Sequence, residues 1–141
     1  SGWFASQSYY REGLYKNFLG VQSASVQEFI DNIVKMFEES DANDLLGMLA
    51  TWQSANVSRH PKFSGDWSRA LGSIQCPAMV MPCRTDLYFP PEDNEIEVAM
   101  MSNAELRIID SDYGHLSGFP GVSADDDAFI DQGINDLLNR F

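Results

Sequence analysis

The sequence predicts an α/β fold built on a parallel strand–helix–strand unit, and three observations point to it. Ala78-Met79-Val80-Met81 is a continuous apolar run of strand length, the pattern of a strand covered on both faces. Glu105 to Asp110 reads as a second strand, and Pro90-Pro91 opens a helical segment between the two, because proline is tolerated in the first turn of a helix. Helical periodicity then dominates before the first strand and after the second, so strands and helices alternate over short links.

From the N-terminus, residues Ser1 to Leu19 carry Trp3, Phe4, Tyr9, Tyr10, Tyr15 and Phe18, a density of aromatics that is hard to leave in water, and the segment is read as helical. Val26, Phe29, Ile30, Ile33, Val34 and Phe37 follow at i, i+3, i+4, i+7, i+8 and i+11, which lines one face of a helix. Ser25 with Glu28 three residues on is a capping box and marks its start. A second helix opens near Asp41 or Asp44 and carries Leu45, Leu46, Met48, Leu49 and Trp52, a broad apolar face suited to burial or to a pocket wall. Between Asn56 and Asp66 the residues turn polar, and His60-Pro61 and Ser64-Gly65 break the periodicity. This connector divides the chain into a helical region, 1–57, and a strand-containing region, 58–141.

A short helix over Trp67 to Leu71 leads to the first strand. The helix begun at Pro90 runs to about Met101, and the closing helix spans Asp125 to Phe141 with Phe129, Ile130, Ile134, Leu137, Leu138 and Phe141 on its buried side. Asp125-Asp126-Asp127 is read as capping that helix and complementing its dipole rather than as a metal loop, and no metal site is expected. The strand at Ala78 is apolar enough to need neighbours on both sides, and only one is visible. A further part of the protein, or a second copy of the chain, is therefore expected to cover it.

With 141 residues, 44% apolar and 12% aromatic, the chain can bury a sizeable core. Nine Lys and Arg against 21 Asp and Glu leave a net charge of −12, which repels phosphate backbones and anionic membranes. Nucleic-acid and membrane binding are excluded as general functions, and a small molecule or a protein is the expected partner of a soluble, cytoplasmic protein. Cys76 and Cys83 flank the first strand, farther apart than the ~6 Å that a disulfide spans, so both are expected as free core thiols. His60 is expected to face solvent.

Two loops lie just past the carboxyl ends of the strands, where open α/β sheets place their catalysts. One is Cys83-Arg84-Thr85-Asp86-Leu87-Tyr88-Phe89-Pro90-Pro91 and the other Asp110-Ser111-Asp112-Tyr113-Gly114-His115. Adjacent parallel strands bring Asp86 and His115 to the same end of the sheet. An Asp bonded to one imidazole nitrogen leaves the other free to take a proton from a nucleophile. The alternatives from spacing alone are that Asp86 caps the following helix and that His115 is an ordinary loop residue.

The segments Asp41-Ala42-Asn43-Asp44-Leu45-Leu46, Thr85-Asp86-Leu87-Tyr88-Phe89-Pro90-Pro91-Glu92 and Tyr113-Gly114-His115 resemble C-terminal motifs of the homoserine O-acetyltransferase-like family of α/β-hydrolase-fold enzymes. The resemblance implies a C-terminal fragment of an α/β-hydrolase fold: a helical lid, then the last two parallel strands with their helices. It implies Asp86 as the triad acid, His115 as the base, and acetyl-CoA as an acyl donor. Met48, Trp52, Tyr88 and Leu116 are the candidate substrate contacts, core packing being the alternative for the first three.

Two departures qualify the resemblance. The family usually has an Asp after the catalytic His to hold the amino group of homoserine, whereas Leu116 stands here and cannot anchor an ammonium ion. The nucleophile elbow Gly-x-Ser-x-Gly is also absent. The expectation is therefore a C-terminal portion of a longer acyltransferase or esterase, inactive alone, with Ser1 in place of an initiator Met marking a cut. The alternative is a non-catalytic assembly module that associates through its exposed strand and aromatic lid.

Overall fold

In the N-terminal segment, glycine decides where the helix stops. The computed structural model describes residues 4–140, so Trp3 and Phe141 lie outside the described residues. Helix α1 spans only Gln7–Arg11, capped by Ser6, whose Oγ accepts the Tyr9 amide at 2.9 Å. Gly13, at φ 73°, turns the chain into a 3₁₀ turn over Leu14–Lys16 and then a hairpin of β1 (Asn17–Phe18) and β2 (Val21–Gln22). The hairpin corner is Leu19-Gly20, at φ 50° and 81°, a two-residue loop with both residues left-handed. The expected continuous helix to Leu19 is thus replaced by a helix, a turn and a strand. Its aromatics cluster around Phe29, which is 1% exposed and has the rings of Phe4, Tyr9, Tyr10, Tyr15 and Phe18 within 6.3 Å.

Phe29 comes from α2 (Val26–Phe37), which starts where the capping residues place it. Ser25 Oγ accepts the Glu28 amide at 3.1 Å, and Glu28 Oε2 accepts the Ala24 amide at 2.7 Å. Helix α3 (Ala42–Ser54) is capped by Asp41, which accepts the amides of Asn43 and Asp44. None of its residues is buried: Leu46, Met48 and Trp52 are 62%, 69% and 57% exposed. The burial expected for this helix does not occur within the chain, because no described element packs over its apolar face.

A 3₁₀ turn at Val57–Arg59 and helix α4 (Trp67–Leu71), capped by Asp66, lead into the sheet. Strands β3 (Ala78–Val80) and β4 (Ala104–Leu106) pair in parallel with Ala78 opposite Ala104 and Val80 opposite Leu106. The expected strands are longer, and Pro82 explains the difference. It has no N–H to give the ladder, yet its carbonyl accepts the Ile109 amide at 2.8 Å and pairing resumes at Cys83 and Ile109. With a single paired neighbour, β3 is only half-buried rather than covered on both faces.

The crossover helix α5 (Pro91–Val98) ends short of Met101, because the chain tightens there to bonds from Met100 to Glu97 and from Met101 to Val98. Helix α6 (Ala124–Leu138) is capped by Ser123, not by the aspartates, which occupy its first turn. Gly133 lets α6 lie against β3: a Cβ there would come within 2.7 Å of Met81 Sδ and 3.1 Å of Met79 Sδ. Phe129, Ile130 and Leu137 are half-buried, but Ile134 and Leu138 are 45% and 63% exposed, correcting their expected burial, because the face that meets the strand runs through Gly133. Outside β4, Arg107 pairs with Asp136 at 2.7 Å and with Glu105 at 3.3 Å, and Arg140 also bonds Glu105, holding the Glu105 carboxyl below its usual range. Cys83 is buried and Cys76 exposed, so Cys76 is not the core thiol expected, and both are free. No helix among the described residues is long and apolar enough to cross a membrane.

Candidate active site

The loops after β3 and β4 bring Asp86 and His115 together. Asp86 is 8% exposed, and its two carboxylate oxygens divide their partners. Oδ1 accepts the amides of Tyr88 at 2.7 Å and Phe89 at 3.2 Å, a local turn that fixes the side chain, while Oδ2 lies 3.0 Å from His115 Nδ1. Asp86 does not cap α5, whose N-cap is Pro90. His115 sits in a 3₁₀ turn over Gly114–Gly118, and its Nε2 has no hydrogen-bond partner among the described residues.

The His115 loop is held from below by the N-terminal segment. The His115 amide donates to the Phe4 carbonyl at 2.9 Å, and Ser6 Oγ donates to the Asp112 carbonyl. Gly114, at φ 62°, passes so close that a Cβ would meet the Ser6 nitrogen at 3.0 Å and the Ala5 Cα at 3.1 Å. A side chain there would be strained by both its dihedral and its surroundings.

Further ties join the two loops to each other. Thr85 Oγ1 donates to the Ser111 carbonyl at 2.8 Å and accepts the Gly114 amide at 3.2 Å. Ser111 Oγ in turn donates to buried Asp126 at 2.7 Å and accepts the Tyr113 amide at 3.2 Å. Thr85 and Gly114 fall inside the two motif segments and Ser111 in the second loop, yet the motifs point to Asp86 and His115 alone, because the roles of Thr85, Ser111, Gly114 and Asp126 depend on contacts between loops distant in sequence.

Aromatic rings surround the imidazole. The Tyr88, Phe89 and Phe119 centroids lie 5.0, 5.5 and 6.2 Å from it. Trp52 reaches the site only through Phe89, at 6.1 Å. Leu116 is 4% exposed, packs into the core with Ala5, Tyr9, Phe18 and Phe29, and also lines the cavity that opens from His115 toward α2. Met48 lines neither cavity bordered by His115. One of these, of ≈ 270 Å³, runs along the end of β3 past Val80, Pro82 and Cys83; the other, of ≈ 380 Å³, opens toward α2 and the hairpin. Among the described residues no group of three or more His, Cys, Asp or Glu could hold a metal ion.

Chemically, a buried carboxylate on Nδ1 favours the tautomer with its proton there, which leaves Nε2 of a residue that borders both cavities as an acceptor. Over 98% of its length the chain superimposes on an acetylester hydrolase from Corynebacterium glutamicum, with a TM-score of 0.85 and 31% identity. The chain has the fold of the C-terminal part of an α/β-hydrolase. It covers 38% of that hydrolase structure. Among curated relatives, an ethyl acetate hydrolase of Pseudomonas veronii is 38% identical over 139 residues, which are 98% of this chain and 38% of that protein. The likeness to a homoserine O-acetyltransferase of Chlorobium chlorochromatii is weaker, 28% over 106 residues and 75% of the chain. The chain thus spans little more than a third of the length of the hydrolases it matches. No protein-family profile matches it.

Proposed function

We propose that this chain forms the lid (residues 1–57) and the last part of the core (residues 58–141) of an esterase acting on short acyl esters, acetyl esters above all. It supplies the acid and base of a Ser-His-Asp triad, and the serine lies outside these 141 residues. The observation that carries the reading is the 3.0 Å contact of His115 Nδ1 with Asp86 Oδ2 at the carboxyl end of a parallel strand pair. His115 Nε2 takes the serine proton as Oγ attacks the ester carbonyl, then returns it to the alcohol oxygen as the C–O bond breaks. Water attacks the acyl-enzyme by the same route in reverse. Asp86 orients the ring and stabilises the imidazolium.

Hydrolysis is favoured over transfer to homoserine by two features. Leu116 is buried in the core beside the base, and the relatives of higher identity are named as hydrolases. Acetyl-CoA, the donor implied by the acetyltransferase resemblance, is then a poorer acyl source than a simple alkyl acetate. The rest of the sheet joins at the free edge of β3. That strand is apolar, whereas Glu105 in β4 and Arg107 just past its end form the ion pairs that blunt an outer edge.

The test is hydrolysis of ethyl acetate by the full-length protein and by its His115→Ala variant. Loss of kcat by several powers of ten supports the triad; unchanged activity rejects it and favours a non-catalytic module.

A further inference from the structure

We propose that the ≈ 380 Å³ cavity beside His115 holds the alkyl group of the ester's alcohol half, and that Leu19 sets its preference for chain length. The inference rests on the esterase reading and adds a residue-level specificity determinant to it.

The cavity gathers large apolar side chains from separate segments: Leu19 from the hairpin corner, Met36 and Phe37 from α2, Tyr88 from the Asp86 loop and Phe119 after the His115 turn. These five are 46%, 62%, 55%, 40% and 47% exposed, so they converge on a space without filling it. No Asp, Glu, Lys or Arg lines it. A charged alcohol would lose water there without gaining a partner, whereas an alkyl chain gains by leaving water.

Leu19 supplies an independent observation. It occupies the first corner of a two-residue hairpin loop at φ 50°, a position that favours Gly, Asn or Asp. Backbone strain at such a position persists where the surrounding structure has a use for it, and here the strained residue places its side chain on the cavity wall.

The chemistry assigns the cavity to the alcohol half of the substrate. The imidazolium that has taken the serine proton must deliver it to the departing alkoxide as the ester C–O bond breaks. The alcohol oxygen therefore sits within hydrogen-bond reach of Nε2. The carbon chain on that oxygen extends from the imidazole, and of the two cavities that His115 borders the ≈ 270 Å³ one is also lined by Asp86, Asn94 and Ser117, whereas this one is lined otherwise by apolar and aromatic side chains that suit an alkyl group. The acyl chain stays on the carbonyl carbon, which bonds to the serine Oγ as the alcohol departs.

The experiment compares two ester series on the full-length protein: alkyl acetates from methyl to hexyl, and ethyl esters from acetate to hexanoate. In the alcohol series kcat/KM should rise by about fourfold for each of the first added methylenes, the factor expected for burying one CH₂. Leu19→Gly and Leu19→Asn both suit the left-handed corner, so the hairpin is retained. Each should lower the hexyl-to-methyl ratio of kcat/KM by about fifteenfold, the loss of contact with two methylenes. The acyl series should keep its own profile in both variants. A flat alcohol series, an unchanged ratio in both variants, or a shift confined to the acyl series overturns the assignment. Loss of ethyl acetate hydrolysis in His115→Ala under any of these outcomes leaves the esterase reading standing; its persistence removes that reading and the inference with it.

Discussion

Thr85 Oγ1 accepts the amide hydrogen of Gly114 at 3.2 Å, so the two loops are tied one residue before Asp86 and one residue before His115. The same hydroxyl donates to the Ser111 carbonyl at 2.8 Å.

Thr85→Val keeps the shape and removes the tie. It leaves the Gly114 amide without its partner, the Ser111 carbonyl keeping the Cys83 thiol at 3.3 Å, at a cost of about 1–3 kcal/mol. Urea unfolding should report that loss, and kcat should fall while KM changes little. Thr85→Ser restores the hydroxyl and should recover most of both. A fall in stability with kcat intact would show that the tie serves folding alone.

Asp86→Asn separates orientation from local structure. The amide oxygen can still accept the Tyr88 and Phe89 amides, so the turn survives. The amide nitrogen then faces His115 Nδ1 and donates to it, which puts the ring in the wrong tautomer. Activity should drop by about 10⁴-fold with the thermal midpoint nearly unchanged. Asp86→Ala loses the turn as well and should lower both.

Gly114→Ala should destabilise the protein by about 2 kcal/mol or more. The left-handed φ of 62° penalises any Cβ, and this one meets the Ala5 and Ser6 backbone. Because the next residue is His115, activity should fall further than stability does, as a comparison of kcat with the denaturation midpoint would reveal.

Tyr9 is fully buried, and its hydroxyl has no partner among the described residues. Burial first, and then the neighbouring Tyr10 and Tyr113, hold its pKa well above the ordinary tyrosine value. In the unfolded chain the phenol ionises near ~10. Stability is therefore unaffected by this group below about pH 10 and falls as pH rises from there toward the folded-state value. Tyr9→Phe should remove that part of the alkaline loss and, at neutral pH, leave stability equal or higher by about 1 kcal/mol. Chemical denaturation at pH 7 and at pH 11 measures both effects.

Local signals account for much of the architecture. The starts of α2 and α3 were legible in Ser25 and in the pair Asp41 or Asp44, of which the structure uses Asp41, because a cap is a bond between near neighbours. The α/β class and the parallel pair followed from an apolar run, a proline-opened helix and a second strand, all readable within short windows. Position past the strand ends also singled out Asp86 and His115. Their contact follows from topology, since parallel neighbours end on the same side of a sheet.

Tertiary structure decided what no window contains. Whether α3 is buried depends on what packs against it, and its helical apolar pattern is the same in either case. The N-terminal aromatics fold around Phe29 through a hairpin rather than one helix, because Gly13 and the Leu19-Gly20 corner turn the chain and distant α2 supplies the centre. Asp126 reads as a capping residue in sequence and becomes, in the fold, the anchor of Ser111 on the His115 loop. The sequence by itself determined the α/β class, helices α2 to α6 in outline, the caps of α2 and α3 and the pair of residues at the strand ends. Only the tertiary structure decided how Thr85, Ser111 and Gly114 hold that pair and which side chains wall the cavity beside it. The physical reason is range: caps and periodicity act over a few residues, whereas these contacts join segments that meet only when the chain has folded.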